Sequence, residues 1–341
     1  MVDRARRVSF TRGLLASCPV LLCPGPPLFA EDGAREPSPA VSRSSEPGPA
    51  WNGFRLDGAV VRTETLVIGG ERDDVRAIDA PEFAAAKEAS QWVSPSMLVL
   101  GVQVGDSARA YPERILDYHQ VVNDEIGERP IVVTWDPVSG VPLVFSRRLG
   151  DRTLHFGVSG LLYQSHSLIY DRETESLWSP LMGMAIAGPL RGEALERISF
   201  SKEPAASWYS RHPRTRFLAR PFLKAIDYRH SPFVAHWSSP EIPFPVAATD
   251  DRFHPKEVVL GVSIDGVHRA YLGSVLTEAG GRIVDVVGGQ KIRIEYDTET
   301  SSFRWQAPDT LEVTEAYWFA WKAHRPETEV WRGIFSEAQH E

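Results

Sequence analysis

"VLGVQVGDSARAY", residues Val99 to Tyr111, returns later in the chain as "VLGVSIDGVHRAY", residues Val259 to Tyr271. Each copy alternates apolar and polar residues, breaks at a Gly-Asp or Asp-Gly pair, and alternates again. That is the sequence form of a tight β-hairpin, because those turn residues tolerate the positive φ that such turns demand. The echo runs outward. Gly127 to Asp136 (GERPIVVTWD) matches Gly288 to Asp297 (GGQKIRIEYD), and Trp208 with Pro213 and Thr215 matches Trp321 with Pro326 and Thr328. One echo is ambiguous: Tyr296 to Thr300 also resembles Tyr170 to Thr174. The copies are unequal, since the second lacks most of His155 to Leu190, HFGVSGLLYQSHSLIYDRETESLWSPLMGMAIAGPL.

These patterns predict a β-rich α+β fold of two internally duplicated halves, each built of β-hairpins with short helices, the second copy shortened. Residues 51–230 form the first, long repeat, 231–250 a connector, and 251–335 the second, short repeat. Helices are expected at Phe83 to Trp92, Pro112 to Tyr118 and Glu315 to His324. The connector is proline-rich but carries Phe233, Trp237 and Phe244, so it should wrap the body rather than hang free.

Composition bounds the function. Of 341 residues, 37 are Lys or Arg and 45 Asp or Glu. No basic block interrupts the body, so the phosphate-neutralising patch of a nucleic-acid binder is absent. No run reaches the roughly 20 apolar residues of a membrane span. The first 30 residues read as a signal peptide: Arg4, Arg6, Arg7 and Arg12 precede an apolar stretch, and Leu28-Phe29-Ala30 forms a cleavage site. Residues 31–50, rich in Pro, Ser, Gly and charge, read as a flexible linker. Cleavage would remove Cys18 and Cys23, the only cysteines, leaving an exported, thiol-free chain.

Val99 to Trp135, Phe156 to Leu190 and the closing YWFAWKAHRPETEVW together resemble a large family of exported bacterial and archaeal proteins, domain of unknown function 3179. The resemblance covers roughly residues 75 to 332 and implies no particular reaction. It also implies a Cys-Pro-x-Cys turn, where this chain has Asp136-Pro137-Val138-Ser139. Two hard oxygen groups replace two thiols, so soft-metal or redox chemistry of a dithiol is excluded at that turn. Asp-Pro-x-Ser-Gly is also ordinary turn chemistry, with the aspartate bonding its own backbone.

The resemblance marks His119 as well, and imidazole can serve as base, hydrogen-bond anchor or metal ligand. His155 and His166 lie in the same copy, but no tight ligand spacing accompanies them. Gly157-Val158-Ser159-Gly160-Leu161 fails the nucleophile-elbow pattern at its last position, although its backbone could approach a ligand, with Tyr163 beside it. Asp171, Arg172, Glu173 and Glu175 read as a solvated turn, and the tryptophans as core wedges. The preferred function is an exported, non-thiol binding or accessory domain. It would have a small cleft in the first repeat lined by His119, Asp136, Ser139, Ser159 and Tyr163, open to a small-molecule ligand. Two alternatives stand beside it: a hydrolase or lyase with His119 as general base oriented by Asp136, and a structural partner that has lost its activity. Cofactor, metal and protein partner are left unassigned.

Overall fold

The computed structural model describes residues 51–221 and 226–333. The expected signal peptide, the linker and the last residues of the second repeat lie outside the described residues. The fold is β-rich with few, short helices, and its sheets form a propeller-like arrangement of five blades. Five sheets hold three to five strands each, beside a two-stranded ribbon. One apolar cluster joins Val121, Leu143, Phe156 and Trp178 to Val259, Ala316 and Trp321, so both repeated segments share a core.

Both hairpins form as their turns predict. Leu98–Val104 pairs with Ser107–Pro112, setting Leu100 opposite Tyr111 and Gly101 opposite Ala110. Val258–Ile264 pairs with Val267–Leu272, setting Leu260 opposite Tyr271 and Gly261 opposite Ala270. A strand and a helix follow each in matching order. A tryptophan lies flat on the hairpin glycine: a Cβ on Gly101 would stand 2.3 Å from the Trp208 ring, and one on Gly261 2.3 Å from Trp321. Trp208 Nε1 donates to Thr215 Oγ1 at 2.8 Å, and Trp321 Nε1 to Thr328 Oγ1 at 2.9 Å. The hairpin tyrosines donate to aspartates of the next sheet, Tyr111 to Asp124 and Tyr271 to Asp285.

The segment missing from the second copy has a defined role. Phe156–Tyr163, His166–Asp171, Leu177–Ser179 and Met184–Ala187, with Leu66–Ile68 on the edge, make one whole blade. The chain is therefore three blades and then two.

Two expected helices are shorter than their sequences suggest. Phe83–Ala85 is a strand, and only Ala86–Ala89 is helical. Glu312–Tyr317 pairs with Val258–Ile264 as a strand, so the helix begins at Trp318. Sheet pairing overrides helix propensity there, because Leu260 offers Glu315 an unpaired edge. The helix after the first hairpin, Glu113–His119, starts behind Pro112 as expected.

The tryptophan caps generate a paired test. Gly101→Ala and Gly261→Ala should each destabilise the protein by about 1–3 kcal/mol through overpacking. Urea unfolding of both variants should show comparable losses, whereas Gly105→Ala, whose Cβ would meet nothing within 4 Å, should lose only its positive-φ turn preference.

Candidate functional site

The strand Arg129–Asp136 is buried along nearly its whole length and delivers the turn Asp136 to Gly140 into the protein. Every carbonyl of that turn up to Ser139 is taken. Gly140 N donates to Asp136 O at 2.8 Å, Trp237 Nε1 to Pro137 O at 3.0 Å, His236 Nε2 to Val138 O at 2.9 Å, and Tyr317 N to Ser139 O at 2.8 Å. Gly140 sits at φ +68°, and a Cβ there would enter the Tyr317 ring. The connector and the far repeat thus grip the same five residues.

The Asp136 carboxylate is 3% exposed and fully engaged. Oδ1 accepts from Val138 N at 3.0 Å. Oδ2 accepts from Ser139 Oγ at 2.8 Å and Ser167 N at 2.9 Å, and lies 3.0 Å from His166 Nδ1. Burial opposes its ionisation, but the hydrogen bond and charge of His166, with the Ser167 amide and Ser139 hydroxyl, outweigh that and lower its pKa. The internal donors resemble those of two other turns. Asp171 accepts from the amide and hydroxyl of Thr174, and Asp297 from the amides of Glu299 and Thr300. Asp136 is therefore a turn residue that also holds a histidine from another blade. The acidic segment from Asp171 to Glu175 keeps its turn character, with Glu173 receiving His155 on the surface.

This trio is not a nucleophile triad. Ser139 Oγ lies 2.8 Å from His166 Nδ1, the same nitrogen that faces Asp136, whereas serine activation needs base and orienting acid on opposite ring nitrogens.

The structure does not bring His119 to Asp136. His119 Nδ1 donates to the Arg76 carbonyl at 2.7 Å, Nε2 lies 2.6 Å from the Tyr228 hydroxyl, and the two rings stack. Burial lowers its pKa. Both nitrogens are occupied, so it ties the end of its helix to the loops at Arg76 and Tyr228. Ser159 is likewise used internally, donating to Leu168 O at 2.6 Å and accepting from Leu161 N at 3.1 Å, where the strand bulges. Tyr163 lies edge-on to His324, ring centres 5.5 Å apart. Of the five expected residues, only Asp136 and Ser139 touch one another. His166 was visible in the sequence without its pairing, and Trp237 as a residue that packs the connector without its partner Pro137; His324 and His236 carry no local signal, being brought in by long-range packing.

A cleft of about 370 Å³ opens beside the turn. Val138 of the turn, Ser167, Gly160 to Leu162, and Phe233, His236 and Phe244 of the connector line it. Its lining is mainly apolar. Gln120 reaches it from a left-handed backbone, φ 55°, that a non-glycine residue adopts only under local constraint.

A second buried polar group lies under the turn. Glu315 is wholly buried, 3.9 Å from Lys202 Nζ, and neither of its oxygens has a hydrogen-bond partner. That separation is too long for a hydrogen bond, so burial outweighs the lysine's attraction and pushes the carboxyl up to about 7. Asp117 is also pushed up to about 7, by burial and then by Glu113, despite accepting from Trp135 Nε1.

Two tests follow from this geometry. In a double-mutant cycle on chemical unfolding, Asp136→Asn should couple to His166→Gln by more than about 1 kcal/mol and to His119→Ala by less than about 0.5 kcal/mol. The buried carboxyl makes a pH prediction. A folded pKa above the unfolded value means stability that is present below about 4.5 and lost as pH rises through about 7. Glu315→Gln should therefore match the parent near pH 4.5 and exceed it at pH 8 by on the order of 1–3 kcal/mol.

Among the described residues no helix is long and apolar enough to cross a membrane. No curated protein and no solved structure matches the chain. A family model does, over residues 72–312, a span that includes the Asp136 turn, four of the five strands of the blade it binds, and the connector. The chain belongs to the family described as protein of unknown function (DUF3179).

Proposed function

We propose that this is an exported binding protein whose cleft beside the Asp136 turn takes a small, largely apolar ligand. The observation that carries the reading is the cleft itself: a concavity of about 370 Å³ with apolar walls and a few polar groups, among them Gln120, His236 and Ser167. That is the ordinary composition of a small-molecule site. Val138 belongs to the turn whose carbonyls are hydrogen-bonded, and His236 of the connector helix Val234–Ser238 bonds its carbonyl at 2.9 Å. None of His119, Asp136, Ser139, Ser159 and Tyr163 lines this cleft.

A hydrolase or lyase built on His119 finds no support in this geometry, because both nitrogens of that ring are already paired. We also infer that the two hairpin units derive from one duplicated unit, with the blade from Phe156 to Ala187 present in the first only. The matched glycine–tryptophan and tyrosine–aspartate contacts support that reading.

The cleft is tested with the neutral, apolar dye N-phenyl-1-naphthylamine. One dye should bind per chain, and Val138→Trp, which enlarges a lining side chain, should weaken binding by about tenfold or more while the melting temperature holds. Unchanged dye binding in a folded Val138→Trp would sink the proposal.

A further inference from the structure

Trp135, Trp178, Trp208, Trp318 and Trp321 are each 3% exposed or less, as core wedges should be. Trp305 is half-buried instead, and it lines two cavities, one of about 650 Å³ and one of about 590 Å³. The cavities also share Ser199, Phe200 and Ala307, so they adjoin as one groove. Its sides come from the strand Phe200–Pro204, paired to the first hairpin, and from the strand Ser302–Gln306 of the last blade. Phe200 meets the Trp305 ring edge to face, centres 6.2 Å apart and planes at 82°. The groove shares no lining residue with the cleft beside the Asp136 turn.

The larger cavity is cationic, although the whole sequence carries a net charge of −8. Arg211, Arg293 and Arg304 line it against the single carboxylate of Glu295. Arg211 is held from behind by Glu203, a buried carboxylate that also accepts from Ser201 Oγ at 2.6 Å. Glu295 stands opposite Arg304 in one strand register and opposite Arg282 in the other, and it is Arg282 that it approaches, at 3.4 Å. Among the described residues no carboxylate forms an ion pair with Arg293 or Arg304. Like charges gathered in one concavity raise the local concentration of anions. The planar fork of a guanidinium matches a carboxylate through two parallel hydrogen bonds.

The smaller cavity has a different balance. Arg129 and Arg197 are met there by Glu196, Asp309 and Glu312, with Arg129 donating to Glu196 at 2.7 Å, and Gln103 adds an amide. Amide, guanidinium and carboxylate groups present donors and acceptors in pairs, which neighbouring hydroxyls complement. The indole common to both cavities supplies apolar area for a ring. A polyanion would meet net negative charge in this second half. The occupant that matches both halves is elongated and hydroxyl-rich, with its charge at one end.

We propose that this groove binds an acidic oligosaccharide, with a uronate carboxylate at Arg293 and Arg304 and a sugar ring against Trp305.

The test is calorimetric titration of the full chain with cellobiouronic acid and aldotriouronic acid, each a single glucuronate joined to neutral sugars. At least one should bind once per chain, and its neutral counterpart, cellobiose or xylotriose, should bind at least about tenfold more weakly. Arg293→Gln, Arg304→Gln and Trp305→Leu should each weaken binding by about tenfold, and His155→Gln on another blade should not change it. Arg293 and Arg304 are exposed, so both variants should keep the parent melting temperature. Binding of neither acid below about 1 mM, equal binding of the neutral sugars, or full retention by the folded Arg293→Gln/Arg304→Gln double variant would each overturn the proposal. So would displacement by an equal concentration of inorganic phosphate, which would show an adventitious ion only. Val138→Trp should leave saccharide binding intact, so this outcome and that of the cleft reading are read separately.

Discussion

A single buried carboxylate organises the contact between blades. Asp136 gathers two donors from its own turn and two from the hairpin of another blade. The carbonyls around it are spent on the connector and on the strand entering the last helix. A carboxylate in an apolar interior is tolerated only when its lone pairs are met. Here meeting them also joins two segments far apart in the chain, the turn itself and the hairpin that carries His166 and Ser167.

The hairpins were legible because their information is local. Alternation, a Gly-Asp or Asp-Gly break and a glycine two residues after the first valine decide strand, turn and the seat for a tryptophan. The boundary at Trp318 was less legible. Its helix-like residues Glu315 to Tyr317 pair with a strand more than fifty positions upstream, and no window of sequence contains that partner. The site was the least legible. Asp136 and Ser139 could be picked out, and so could the ordinary turn chemistry that accounts for most of their bonds. That the histidine facing Asp136 is His166, and that His119 turns instead to Arg76 and Tyr228, depends on how the blades pack. A motif reading sees which groups are available and not which of them are already engaged.

The two similar hairpins also carry opposite charges at corresponding pairing positions. Lys202 lies opposite Leu100 in the first hairpin sheet, and Glu315 opposite Leu260 in the second. These counterparts approach one another in the interior, with the ammonium over the Trp135 ring at 5.0 Å. Replacing such a pair by apolar residues is often neutral or stabilising. Its presence therefore fits a role in telling the two similar surfaces apart rather than in holding them together.

The blade that distinguishes the first segment enters and leaves at one point. Ser146 N, at the end of the strand before it, donates to Glu196 O at 2.8 Å, and Ile198 N, just after it, donates to Val144 O at 2.9 Å. The chain on either side is thus already joined by a short ladder, and four of the blade's five strands lie in the excursion between, with Leu66–Ile68 pairing on their edge from outside it. Lengthening or shortening such an excursion changes loop-closure entropy only slowly with length. Four strands can change length there without altering the register of the strands that flank the excursion, while losing them would leave Leu66–Ile68 unpaired and strip Asp136 of its bonds to His166 and Ser167.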